Sequence, residues 1–93
     1  MTDLAQDVAR AHRAKALLSD DLLTGAFDTL RAEYLKAWEA TKYNDTDSRE
    51  RLWQAIQIVG KVRAQLHAYV NDGTLAQAEL NQINYGLRDR PAA

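Results

Sequence analysis

Ninety-three residues, with twelve basic side chains against thirteen acidic ones, make a near-neutral chain of single-domain size. That balance leaves no global field to draw in nucleic acid or an anionic membrane. The lack of cysteine excludes a disulfide framework and any thiolate-held metal.

The opening MTDLAQDVARAHRA lacks the continuous apolar core of a signal peptide, and no apolar run approaches membrane-spanning length. A soluble, intracellular protein is expected. Alanine makes up much of the apolar fraction. It favours helix but buries little area per residue, so long helices form easily and a thick core does not. Such a chain is expected to cover its apolar stripes by self-association.

Residues 3 to 18 read as a first helix, with Leu4, Val8, Ala11 and Leu18 at helical spacing. Ser19, Asp20 and Asp21 interrupt it: a serine able to cap, then two acids suited to the first turn of the next helix. That second helix is expected over about 20–43, with a stripe of Leu23, Phe27, Leu30, Tyr34 and Ala37 and with Leu35 and Trp38 beside it. Lys36 and Lys42 suit its negative pole, and Asn44, Asp45 and Thr46 form a turn.

Asp47 followed by Glu50 fits the start of a third helix over about 47–71. Leu52, Ile56, Val59, Val62, Leu66 and Tyr69 share one face of it, widened by Ala55 and Val70. Asn71, Asp72 and Gly73 read as its stop, with the glycine in the left-handed conformation. Thr74 and Gln77 then suggest a second capping box. Ala76, Leu80, Ile83 and Leu87 predict a short final helix over about 75–86, and the tail RDRPAA is expected to fray.

The pattern predicts an all-α protein, one domain over residues 1–93: an antiparallel long-helix hairpin with a shorter helix at each end. With the turn between Asp45 and Thr46, facing residues have numbers that sum to about ninety-one. That register sets Trp38 level with Trp53, Tyr34 near Ile56 and Val59, Leu30 near Val62, Phe27 near Leu66, and Leu23 near Tyr69.

Catalytic chemistry has little to work with. Ser19 and Ser48 both sit at helix starts, where capping explains them. His12 and His67 are alone on separate helices, without the paired carboxylate and histidine spacing of a metal-binding bundle. No acid pair is framed by an apolar pocket, and none of the four glycines belongs to a phosphate-binding loop. No enzyme activity, cofactor, metal or small-molecule substrate is expected.

Gly60 lies inside the third helix, where glycine costs about 0.5–1 kcal/mol relative to alanine. Either the helix tolerates it, or another helix approaches closely there, from a second subunit. The second reading gives an oligomer interface of Leu35, Trp38, Trp53, Ile58 and Gly60. Arg10, Arg13 and Lys15, beside His12, and a smaller group of Lys61 and Arg63 are first of all solvated faces. They are also the residues expected to touch nucleic acid if any do, weakly and with steep salt dependence unless an oligomer repeats the patch.

Three segments, AFDTLRAEYLKAW, DTDSRERLW and KVRAQLHAYVNDG, carry a resemblance to small helical proteins that tailed phages and prophages encode near their packaging and head genes. The resemblance covers residues 11 to 76 and implies a phage-type protein of the host cytoplasm or the virion. It brings two expectations. One is a small-terminase-like, homo-oligomeric component of DNA packaging that binds double-stranded DNA, although the chain lacks a clear N-terminal DNA-binding domain. The alternative is a structural or head-assembly factor that binds another phage protein with no DNA contact.

Overall fold

The computed structural model describes residues 3–88, without the side chains of Leu87 and Arg88, and all of the regular structure there is helical. Three helices follow one another: α1 (Leu4–Leu18), α2 (Asp21–Ala40) and α3 (Thr46–Arg88). The tail expected to fray lies almost wholly outside the described residues.

Local chemistry sets most helix ends. Asp3 Oδ1 accepts from the Ala5 N–H at 3.0 Å at the start of α1. At the start of α2 the cap is Asp20 rather than Ser19. Its Oδ1 accepts from Leu22 N at 2.9 Å and Leu23 N at 3.2 Å, with its own backbone extended. The helix closes at Ala40, three residues before the expected end, because the carbonyl of Trp38 accepts from both the backbone N–H of Thr41 (3.1 Å) and its hydroxyl (2.6 Å). The cap of α3 is Asp45, not Asp47: its carboxylate accepts from Ser48 N at 3.3 Å, and its carbonyl from Arg49 N at 3.1 Å.

The main departure from expectation is α3 itself, which runs unbroken for 43 residues. Neither the stop at Asn71–Gly73 nor the separate helix over 75–86 exists. No described residue, glycine included, has a positive φ, so Gly73 does not act as a left-handed cap. Thr74 donates to the Val70 carbonyl at 3.1 Å within the helix, and Gln77 donates to Asn81 at 3.0 Å, so neither builds a capping box. The physical reason is a seven-residue spacing, Leu52, Val59, Leu66, Gly73 and Leu80, which carries the packing face straight through the supposed break. At Gly73 α3 meets α1. A Cβ placed there would overlap the Ala11 Cβ and lie 3.2 Å from the Asp7 carbonyl oxygen. The glycine is kept small by a neighbour some sixty residues earlier, and its backbone stays helical.

The chain divides into two compact units, one holding the residues up to Leu17 with those from Leu66 on, the other Leu18–Gln65. In the first unit α1 lies on the later part of α3 through small side chains. Ala14 and Ala76, each 3% exposed, and Gly73 are buried at this contact, as is Asp7. The Asp7 carboxylate accepts from Arg10 at 2.8 Å, and the Arg10 guanidinium stacks over the Tyr69 ring with 4.7 Å to its centroid.

In the second unit α2 meets the earlier part of α3. Trp38 and Thr41, near the end of α2, meet Arg49, whose guanidinium lies 4.1 Å from the Trp38 ring centroid and donates to the Thr41 hydroxyl at 2.9 Å. Phe27 and Asp28, earlier in α2, meet Arg63, later in α3: an ion pair of 2.7 Å and a cation over the ring at 5.8 Å. The two helices therefore run side by side in opposite senses. Leu23, Phe27, Tyr34 and Trp38 are only half-buried against this part of α3, and no residue of α2 is fully buried.

Candidate interaction surfaces

With so little inside, most of the apolar side chains of the described residues remain outside. Leu22 is 85% exposed, Tyr43 89%, Leu75 68%, Ile58 60% and Trp53 51%, and Leu30, Leu35, Val62, Ile83 and Tyr85 are also exposed.

The five residues expected to form one interface do not share a surface. At 100° per residue, Trp53 and Gly60 lie within about 20° of each other around α3, while Ile58 is about 140° away from Trp53. Leu35 and Trp38 fall on the Trp53 side, because the Asp28–Arg63 pair ties the flank of α2 that carries them to the flank of α3 that carries Gly60. A Cβ at Gly60 would meet nothing within 4 Å, so no contact inside the chain calls for that glycine.

Trp38 and Trp53 do come together. With Tyr43, Thr46, Arg49 and Glu50 they line an open groove beside the turn between α2 and α3. Tyrosine, tryptophan and arginine are the residue types that dominate protein-binding hot spots. Sequence reasoning passed over Tyr43 and Arg49, although both stand within a few residues of the turn. A second groove lies along the outer face of α2, lined by Asp21, Leu22, Gly25, Ala26, Thr29 and Leu30. A third, in the other unit, has an apolar floor of Val8, Ala11 and Val70 and a rim of His12, Lys15 and Gln77.

The residues proposed for nucleic acid are divided between the units, Arg10, Arg13 and Lys15 in one and Lys61 and Arg63 in the other. Arg10 and Arg63 have defined partners within the chain. Arg10 is bound to Asp7 and stacked on Tyr69, and Arg63 is bound to Asp28 and lies over Phe27. Arg13, Lys15 and Lys61 are exposed.

Among the described residues no group of three or more histidines and carboxylates could hold a metal ion, and no helix is long and apolar enough to cross a membrane. No family model, curated protein or solved structure matches the chain.

Proposed function

We propose that the chain is a non-enzymatic assembly protein whose working form is a homo-oligomer, with α2 and the earlier part of α3 as the antiparallel hairpin through which copies associate. The observation that carries this is burial: Ala14 and Ala76, each 3% exposed, are the only buried apolar side chains among the described residues. The large apolar side chains stay outside instead: Tyr43, Leu22, Leu75, Ile58 and Trp53 are each more than half exposed.

In the phage setting implied by the resemblance, two versions of this role differ in their partner. A small-terminase-like packaging component needs cations free for phosphate, and Arg10 and Arg63 already have carboxylate partners. The exposed apolar side chains favour the other version, a structural or assembly factor that binds itself and a further phage protein.

Light scattering for mass, followed by an electrophoretic shift with double-stranded DNA at low salt, tests both. An oligomer without a DNA shift is expected. A shift that fades steeply with salt and with Arg13→Ala would return the packaging version, and a mass of one chain at every concentration would overturn self-association.

A further inference from the structure

Building on the self-association reading above, we propose that a second copy of the chain docks on one particular flank of the Leu18–Gln65 unit: the side formed by Leu22, Ala26 and Leu30 of α2 and by Ile58 and Val62 of α3.

Helix geometry separates the two flanks. Take Phe27 and Val59 as the inward directions of α2 and α3, and 100° per residue. Leu30, Ala26 and Leu22 then lie about 60°, 100° and 140° to one side of Phe27, and Val62 and Ile58 lie about 60° and 100° to the same side of Val59. Asp28 and Leu35 lie the other way on α2, and Gly60, Arg63 and Trp53 the other way on α3. The Asp28–Arg63 ion pair shows which flank of one helix adjoins which flank of the other.

The flanks differ in chemistry. The ion-paired side carries Asp21, Asp28, Arg31, Glu39, Arg49 and Arg63 beside Leu35, Trp38, Trp53 and Ile56, and Arg49 and Arg63 make its polar contacts across the hairpin. On α2 the opposite side is mostly apolar, with Leu22 (85% exposed) and Leu30 (39%) among Ala26, Ala37 and Ala40; on α3 it carries Ile58 (60%), Val62 (48%) and Ala55 between Asp47, Arg51, Gln54, Lys61 and Gln65. Its charged members are Glu33, Asp47, Arg51 and Lys61, two of each sign.

A second copy is the occupant that fits. A near-neutral flank of mixed sign repels neither itself nor its two-fold mate, and a two-fold contact uses the same patch on both partners. The shallow groove at the outer edge of this flank, lined by Asp21, Leu22, Gly25, Ala26, Thr29 and Leu30, gives room for a large side chain of the mate beside Leu22. Docking pair on pair buries the large side chains of this flank in a four-helix arrangement, the usual solution for helices with apolar faces left over.

The test is sedimentation velocity on the full chain and three variants, with helicity followed by circular dichroism. All three substitutions are at exposed positions, and Leu22 is exposed enough that a charge there leaves the helix intact. Ile58→Glu and Leu22→Glu are expected to weaken self-association at least tenfold with helicity retained, and Trp53→Glu to leave it unchanged. If Trp53→Glu weakens association as much as Ile58→Glu or more, this placement is overturned while self-association stands. If the unaltered chain sediments as a monomer throughout, the assembly reading itself has failed.

Discussion

Two glycines in the same helix should answer the same substitution in opposite ways. In a helix interior, Gly→Ala ordinarily gains about 0.5–1 kcal/mol because the backbone entropy of glycine is no longer lost on folding. Gly60 is exposed and a Cβ there meets nothing within 4 Å, so Gly60→Ala should show that gain undiminished. At Gly73 the added methyl would overlap the Ala11 Cβ, with the Ala11 Cα at 3.5 Å and the Asp7 carbonyl oxygen at 3.2 Å. None of these atoms belongs to a flexible side chain that can swing aside, so α1 itself has to move. Overpacking of this kind costs about 1–3 kcal/mol. The propensity gain offsets part of it and leaves a net loss of about 0–2.5 kcal/mol.

The difference between the two variants isolates the overlap, because the chemical change is identical. At about 4–8 °C per kcal/mol for a domain of this size, their melting temperatures should separate by at least about 4 °C. Thermal unfolding followed by circular dichroism reads this directly. Adding Ala11→Gly to Gly73→Ala should recover part of the loss, since it removes the overlapped atom, and the double-mutant cycle should show favourable coupling. If Gly73→Ala stabilises as much as Gly60→Ala, or if the cycle shows no coupling, the close approach of α1 to α3 is wrong.

Other substitutions probe single links. Asp20→Ala removes the acceptor for the N–H groups of Leu22 and Leu23 and should cost about 0.5–2 kcal/mol in thermal unfolding. Arg49→Ala removes the cation stacked on Trp38 and the donor to Thr41. It should change the tryptophan emission and lower stability by about 1–2 kcal/mol, and an unchanged spectrum would place Trp38 elsewhere. Asp28→Ala, by contrast, breaks a pair whose carboxylate side chain is 68% exposed, and should cost less than about 1 kcal/mol in the same assay.

The helical class and the places where the chain breaks were legible because they depend on neighbours: Asp20 and Asp45 cap from within three residues, and the stripes of Leu23, Phe27 and Tyr34 recur locally. Gly73 was misread because its environment is not local. Asn-Asp-Gly is a sound stop signal by itself, and only the contact with Ala11 explains a glycine kept in an unbroken helix. The spacing of Leu52, Val59, Leu66 and Leu80 was the available clue, since a true stop would have ended the repeat. Trp53, Gly60 and Ile58 were grouped as interface residues by their type, when the angle between Trp53 and Ile58 already set them apart. Leu22 went unnoticed because Leu23, its inward neighbour, fitted the stripe. Among the cations, the Asp7 partner of Arg10 stands three residues away and could have been read locally, while the partner of Arg63 needed the pairing of two helices.

Self-association can be tested most directly by melting the chain over a hundredfold range of protein concentration. If copies of the chain supply the core that each copy lacks, folding is linked to association, and the melting temperature should climb steadily as concentration rises. A melting temperature that stays constant over that range, with the mass of a single chain, would mean that the half-exposed helices hold together without a partner.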